Sequence, residues 1–414
     1  MLIQNAVFSL VILILASLVA EPLARILKLP FVAFLIIMGF LGSELIVSLG
    51  YDTGIRASSF NQLVFYVFLP IIIFESAYSI NRKALLMCLY PILILAMPIM
   101  LISAGIAAFL IYWGIGHSSG FPVYTALVTG ALLAATDPMA VVSHLKRIKA
   151  PEEVTTLIEG ESLFNDAIAV VLFTTLLSMA LSLQGFDNTE TEIPLWFHFI
   201  NFLKIFFGGL LFGVLCGALG TFLSYVLQTR ILENVLLVSV AYGSFLIAED
   251  FLMVSGMMAV LASGLIMNKA HERFIPKEDR QFINYWWQVI SFFANAMIFI
   301  LLGVTITYSM FEERWLAMLI AIGAVLITRA IAIFIILPAM MFKNKESVDM
   351  PTKKVLFWGG TRGAVTVALA LSLPVELNAW WTIQSMAFGV VLFTLFIQAP
   401  TVPMLLRRTH PKKT

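Results

Sequence analysis

Four polar side chains interrupt an apolar stretch near the middle of the sequence: Glu161, Ser162, Asn165 and Asp166. Residues four positions apart stack on a helix, so Glu161 lies over Asn165 and Ser162 over Asp166, all on one face. A carboxylate at the centre of a bilayer costs about 2.5–3.5 kcal/mol on insertion scales, and such groups usually handle an ion or a proton. We therefore interpret Asp166 as an ion- or proton-binding group. The alternative, a carboxylate that reaches the membrane interface, applies more readily to Glu161, which is nearer the helix end.

A second polar interruption, Thr136-Asp137-Pro138, lies midway along a span predicted at 122–144. Pro138 lacks a backbone donor and disfavours helical geometry at the residue before it, so the helix should break at Asp137. A membrane tolerates the freed carbonyls only where they line a cavity or contact protein. The pattern predicts a cation site formed by Asp137 and these carbonyls, with the Thr136 carbonyl as a candidate ligand. A proline kink capped by Asp137 is the alternative, and both can hold together.

A third interruption lies in the span predicted at 354–374, where Gly359, Gly360 and Gly363 surround Arg362. The glycines weaken the helix, and an arginine at this depth must find a carboxylate or backbone carbonyls. The two halves of the chain can be overlaid with an odd offset in spans, which pairs this span with the proline-broken one. Interrupted helices at matching positions of two inverted halves are typical of secondary transporters with a site at the midplane.

The composition is that of a polytopic membrane protein. Of the 414 residues, 61% are hydrophobic and only 12% are charged, and the mean hydropathy is +0.98. Apolar stretches of sufficient length predict about 13 transmembrane helices and hence an all-α fold. A net charge of +1 excludes a broad basic surface for nucleic acid. Cys88 and Cys216 lie far apart in apolar stretches, which excludes a disulfide framework or a metal pattern.

The basic residues fall on alternate connections between the predicted spans, which predicts the topology. One set of connections carries clusters such as Lys146 and Arg147, whereas the opposite set holds only Arg56 and Arg314. The basic set is assigned to the cytoplasm, so the N-terminus lies outside and the C-terminus inside. Residues 2–20 are predicted to form a retained first span, because no basic segment precedes them.

The chain resembles the NhaP-type monovalent cation:proton antiporters, relatives of the animal sodium/proton exchangers, over essentially its whole length. Three motifs in this order carry the resemblance: Ala135-Thr136-Asp137-Pro138, Glu161-Ser162-Leu163-Phe164-Asn165-Asp166 and Gly360-Thr361-Arg362-Gly363-Ala364-Val365. It implies two inverted six-helix repeats, with helices 5 and 12 crossing at partly unwound centres. It also implies a homodimer embedded in membrane lipid, in a prokaryotic cell (inner) membrane.

The resemblance further divides the chain into two groups of helices. It implies a mobile core formed by 84–183 and 314–406, and a dimerisation scaffold formed by 1–80 and 195–309. Residues 407–414 would be a short cytoplasmic tail, too short for the regulatory extension of the animal exchangers.

The same resemblance implies one sodium site with these ligands: Asp166, Asp137, Ser162, Glu75 and the carbonyl of Thr136. Asp166 would be the essential carboxylate, shared in turn by a proton and a cation. Asn165 would support the site, Glu161 would pair with Arg362, and Arg329 would have a structural role.

The implied function is exchange of sodium, or lithium, for protons by alternating access, with no enzyme chemistry and no cofactor. Relatives with asparagine at the position of Asn165 imply one proton per cation. Hard oxygen ligands serve sodium, lithium and potassium alike, so a potassium/proton antiporter is an alternative. A cation channel is a second alternative, although no symmetry-related filter loops are evident. A membrane hydrolase is disfavoured, because histidines such as His271, which lie in or near predicted loops, give no base or metal pattern.

Overall fold

The computed structural model describes residues 3–27, 30–48, 63–116, 121–148, 150–184, 195–227, 230–341 and 348–409. All regular secondary structure in these ranges is helical, which confirms the all-α fold class. In chain order the helices are α1 (Ile3–Leu27), α2 (Phe31–Ser48), α3 (Val64–Ser79), α4 (Arg82–Met87), α5 (Leu89–Ile115), α6 (Val123–Ala134), α7 (Met139–Ile148), α8 (Glu152–Leu183), α9 (Leu195–Leu227), α10 (Arg230–Leu246), α11 (Gly256–Phe274), α12 (Lys277–Thr305), α13 (Tyr308–Met340), α14 (Met350–Trp358), α15 (Ala364–Leu371) and α16 (Trp380–Leu406).

Seven of the described helices are long and apolar enough to cross a bilayer: α5, α8, α9, α10 with the turn that follows it, α12, α13 and α16. The bent pair α1 and α2 would make an eighth span. The predicted number of about 13 is not confirmed. Part of the reason is that the spans predicted at 122–144 and 354–374 are each divided into two shorter helices.

The two divided spans meet at their non-helical segments, 135–138 and 359–363. The Asp137 backbone N–H donates to the Thr361 carbonyl at 2.7 Å, and the Thr361 hydroxyl donates to the Asp137 carbonyl. Pro138 and the glycines beside Thr361 explain both breaks, because neither sequence sustains a helical ladder there. The peptide groups released by one break are therefore partly paired with those of the other.

A long continuous helix beside these breaks is α8, with 32 residues. Glu152 and Glu153 lie in its first turn, where negative charge stabilises a helix N-terminus. Most side chains from Thr155 to Phe173 are buried, against α5, α6, α7, α9 and α11. This helix carries the acidic motif, so its packing on several sides fixes the position of Asp166 relative to the two breaks.

A second group of helices packs closely through small residues. Gly209, Gly213 and Gly217 of α9 lie directly against α11, and a β-carbon at Gly213 would overlap the Ala259 backbone. Small residues at such spacing let helix backbones approach closely in membranes. Helix α3 packs on α11 and α12 in the same group, which positions Glu75 beside α8.

Candidate ion-binding site

One cavity of about 410 Å³ receives four of the five predicted ligands: Glu75, Asp137, Ser162 and Asp166. They come from three separate elements, since Glu75 lies on α3, Asp137 lies in the broken span, and the other two lie on α8. Ala364 and Val365 at the start of α15 complete this part of the wall. The structure thus brings together carboxylates that are far apart in sequence.

Asp137 reaches the cavity because position 363 is a glycine. A β-carbon at Gly363 would overlap the Asp137 carboxylate. The second broken span therefore provides the space in which the carboxylate of the first one lies. Asp166 is partly exposed at the same cavity, one turn of α8 from Ser162. Oxygen-rich walls of this kind suit hard monovalent cations and protons.

The carbonyls freed by the break before Pro138 are bonded by side chains of neighbouring helices. The Ser162 hydroxyl donates to the Thr136 carbonyl, so these two predicted ligands contact one another. The Asn165 amide donates to the Ala134 carbonyl at 3.1 Å and to the Thr136 hydroxyl at 3.0 Å. Ser162 therefore lines the cavity and, together with Asn165, stabilises the broken backbone beside it.

The pairing expected between Glu161 and Arg362 is wrong. Arg329 binds Glu161 through two contacts, Nη1–Oε1 at 2.6 Å and Nη2–Oε2 at 2.9 Å. Arg329 also donates to the Leu356 carbonyl from Nε at 3.2 Å and from Nη2 at 3.0 Å. A planar guanidinium and a carboxylate match in this two-point geometry. Arg329 thus joins α8, α13 and α14 on the side of α8 away from the cavity.

Arg362 contacts backbone and hydroxyl groups of its own break and of α16, and it does not contact Glu161 as Arg329 does. Its Nη1 donates to the Gly360 carbonyl at 3.0 Å, and its backbone N–H donates to the Thr394 hydroxyl at 3.2 Å. The residue is 5% exposed. Arg362 thus supports the turn of the second broken span and its contact with α16, and it has no described ion pair with Glu161.

Sequence reasoning did not identify one wall of this cavity. Helix α12 presents three amides to the cavity: Asn284, Gln288 and Asn295. Their spacing of four and seven residues places them on one helix face. That periodicity was the available signal, because three amides on one stripe of an apolar helix need a polar surface to face.

The exposed end of the cavity is marked by a charged pair. Lys146 Nζ lies 2.6 Å from Glu159 Oε1, and the Lys146 side chain is 64% exposed. Both residues line the cavity. The cavity therefore extends from the middle of α8 to the end of the molecule at which α8 begins.

One histidine that the sequence places in or near a loop is part of a helix. His271 lies in the last turn of α11 and is completely buried. It contacts Tyr78 and Glu233, polar residues of two other helices. No group of three or more metal-ligating side chains occurs among the residues that the structure describes.

Comparisons with known proteins agree with this fold. The family described as "sodium/hydrogen exchanger, transmembrane" matches residues 10–408. The chain is 35% identical to the Na⁺/H⁺ antiporter ApNhaP of Aphanothece halophytica, over 84% of this chain and 64% of that relative's length. It is 32% identical to the low-affinity Na⁺/H⁺ antiporter NhaS1 of Synechocystis, over 93% of this chain and 70% of the relative. It is 30% identical to the Na⁺/H⁺ antiporter NhaH of Halobacillus dabanensis, over 97% and 98%.

Among solved structures, the sodium proton antiporter MjNhaP1 of Methanocaldococcus jannaschii superposes with a TM-score of 0.77. The two chains are 22% identical, and 98% of each is covered, so this likeness establishes the fold. The match to the family extends from the first described helix to the last. The chain belongs to the transmembrane sodium/hydrogen exchanger family.

Proposed function

We propose that the chain exchanges sodium ions for protons across the membrane, and that the two cations bind in turn at Asp166. The observation that carries this proposal is the convergence of three carboxylates, Glu75, Asp137 and Asp166, on one cavity that reaches the middle of a buried helix. Relatives named as sodium/proton antiporters support the same activity.

Competition for the same oxygen atoms provides the coupling. Burial disfavours charge on an isolated carboxylate, so the ionised form of Asp166 is stabilised when a bound cation neutralises its charge. A proton does so on one oxygen, whereas sodium would bridge Asp166 to Asp137 and Ser162. Glu75 and the Thr136 carbonyl complete the proposed ligand set. Because neither cation can bind while the other occupies Asp166, exchange needs no covalent step and no cofactor.

The neutral residue beside the site supports one proton per sodium ion. Asn165 has an uncharged amide that is engaged by the Ala134 carbonyl and the Thr136 hydroxyl. Glu161 is already neutralised by Arg329. Of the two carboxylates in the acidic motif of α8, Asp166 is then the one left to exchange charge. Membrane voltage, worth about 2.3 kcal/mol per charge per 100 mV, would do no net work on such a cycle.

Alternating access follows from the two walls of the cavity. Asp137, Ser162 and Asp166 belong to the proposed core, 84–183 and 314–406, whereas Glu75 and the α12 amides belong to the proposed scaffold, 1–80 and 195–309. Sliding of the core against the scaffold would close this cavity and open the opposite side. A scaffold held in a homodimer would supply the fixed reference for that movement.

The orientation rests on the distribution of basic residues. Lys146, at the exposed end of the cavity, belongs to the basic set of connections, which supports an opening to the cytoplasm. The N-terminus would then lie outside and the C-terminus inside a prokaryotic cell membrane. The described state would be open to the cytoplasm.

The test is sodium-driven proton movement in proteoliposomes that contain a pH-sensitive dye. We expect exchange by the wild type and none by Asp166→Asn, since an amide cannot release and rebind the proton. Glu312→Gln, at an exposed position on α13, serves as the control and should retain exchange. Sodium-driven proton movement in Asp166→Asn would contradict the assignment. Repeating the assay with lithium and potassium establishes which cation is exchanged.

A further inference from the structure

A small cavity of about 20 Å³ lies beside α8 and is separate from the cavity that holds Asp166. Three of its polar lining residues come from different parts of the proposed core: Asn165 on α8, Thr328 on α13 and Arg362 in the second break. These residues are deeply buried, with exposed fractions of 2%, 4% and 5%. Ala134, at the first break, lines the same cavity. The cavity therefore lies where α8 and α13 meet both broken spans.

Each of the three side chains carries one buried polar atom with no hydrogen-bond partner among the residues that the structure describes: Asn165 Oδ1, Thr328 Oγ1 and Arg362 Nε. The amide of Asn165 has a defined orientation, because only its nitrogen can donate to the Ala134 carbonyl at 3.1 Å. Buried polar atoms in folded proteins are nearly always paired. Three unpaired atoms at one cavity therefore indicate a ligand that they share.

The chemistry of the three atoms selects this ligand. It must donate to Asn165 Oδ1 and accept from Arg362 Nε. A metal cation cannot accept a hydrogen bond, and the guanidinium groups of Arg329 and Arg362 would repel it. An anion cannot donate to an amide oxygen, and the Glu161 carboxylate lines the same cavity. A water molecule donates and accepts at once; a buried one makes about three hydrogen bonds and needs at least about 10–15 Å³.

We propose that one buried water molecule bridges Asn165, Thr328 and Arg362 and is part of the folded core. The water donates one hydrogen bond to Asn165 Oδ1 and accepts one from Arg362 Nε. The Thr328 hydroxyl completes the set, because a hydroxyl can either donate or accept. The existence of this water site does not depend on the proposed antiport, whereas its effect on sodium binding rests on that function.

The water stabilises the first break from behind. Asn165 Nδ2 holds the Ala134 carbonyl and the Thr136 hydroxyl, and the water holds the oxygen of the same amide. The amide is then fixed at both ends. Because the carbonyl of Thr136 is a proposed sodium ligand, the water keeps that ligand in place without contacting the ion. Thr328 is therefore a positioning residue that lies outside the ligand set.

The first test is the sign of a change in stability. Thr328→Val removes the hydroxyl and keeps the shape of the side chain. Loss of the water would leave Asn165 Oδ1 and Arg362 Nε unpaired, so the equilibrium constant for unfolding in mixed detergent micelles should rise about tenfold. If the hydroxyl held no water, an apolar replacement would leave this constant unchanged or lower it. Either of those results would overturn the proposal.

Thr129→Val is the matched control. Thr129 is completely buried, and its hydroxyl donates to the Thr125 carbonyl of its own helix at 2.7 Å. Such a bond within a helix adds little stability, so the unfolding constant should change less than about threefold. A rise as large as that of Thr328→Val would count against a shared water.

A double-mutant cycle tests whether the water is shared. Thr328 Oγ1 has no hydrogen bond to Asn165 or to any other described residue, so coupling between the two side chains must pass through a ligand. Thr328→Val and Asn165→Ala each remove the same water. The unfolding constant of the double variant should therefore be at least about threefold smaller than the two single effects combined predict. Additive effects would refute the bridge.

The wild type gives a direct measurement that does not depend on any variant. A high-resolution crystal structure should show one water oxygen within about 3.2 Å of Asn165 Oδ1, Thr328 Oγ1 and Arg362 Nε. A site without density, or an anomalous signal there from crystals soaked in bromide, would overturn the assignment. The second result would identify an anion site instead.

The effect on sodium binding is measured separately in proteoliposomes. Thr328→Val should raise the sodium concentration for half-maximal exchange by about tenfold, the lower range for residues that support ligands from behind. Thr328→Ser keeps the hydroxyl and should restore the wild-type value. An unchanged value in Thr328→Val would refute the positioning role. If the wild type shows no exchange, the proposed antiport fails, whereas stability and the crystal structure still decide whether the water site exists.

Discussion

The ion pair between Glu161 and Arg329 gives the sharpest prediction about stability. The two side chains are 4% and 11% exposed and meet at two points. Removing one partner of a buried pair costs about 3–5 kcal/mol, because the other charge is left uncompensated. Arg362 lies close enough for its guanidinium to repel that of Arg329. Glu161→Ala leaves the Arg329 guanidinium uncompensated and still repelled by Arg362, whereas Arg329→Ala removes that repulsion, so Glu161→Ala should destabilise the fold more.

A double-mutant cycle measures the pairing directly. Equilibrium unfolding in mixed detergent micelles is compared for both single variants and for Glu161→Ala/Arg329→Ala. The double variant should cost much less than the sum, with a coupling energy on the order of 3 kcal/mol. The cycle of Glu161 with Arg362 is the control and should give a smaller coupling, below about 1 kcal/mol. A larger coupling with Arg362 would refute the pairing described above.

Two further substitutions probe the broken spans. Gly363→Ala places a methyl group on the Asp137 carboxylate, so we expect exchange in proteoliposomes to be lost and the melting temperature to fall. Gly323→Ala, where a β-carbon has no neighbour within 4 Å, should leave both unchanged or raise stability slightly; equal behaviour of the two variants would contradict the close approach. Asn165→Ala leaves the Ala134 carbonyl without its side-chain donor and should cost about 1–3 kcal/mol in equilibrium unfolding. Wild-type stability in that variant would show that the broken backbone does not depend on the amide.

Much of the region around the site could be predicted because it follows from local chemistry. Pro138 cannot continue a helical ladder, and three glycines around Arg362 cannot sustain one, so both breaks were expected and are present. The stacking of Ser162 over Asp166 follows from helical spacing alone. These features depend on residues within one or two turns of each other.

What could not be predicted depends on packing between distant elements. The sequence offers two arginines for Glu161 and does not specify which guanidinium reaches it. The Arg362 guanidinium instead donates a hydrogen bond to the Gly360 carbonyl, and this contact depends on the conformation of the break. His271 was expected in or near a loop because the apolar stretch of α11 ends before it. Its burial depends on contacts with α3 and α10, which the sequence does not specify. The span count was unreliable for a related reason, since apolar length does not distinguish a continuous helix from two halves.

The meeting of the two interrupted spans limits the kind of movement available to the molecule. Asp137 and Thr361 exchange backbone and side-chain bonds, and the Thr366 hydroxyl adds a contact with the Ala135 carbonyl at 3.4 Å. Bending either span at its interruption would break these bonds and leave the released peptide groups without their partners. The two unwound centres therefore hold the interrupted spans together, and neither span is expected to bend there. Any movement of Asp137 and Asp166 must therefore move both interrupted spans as one body. The sliding surface is then the one formed by Glu75 and the amides of α12.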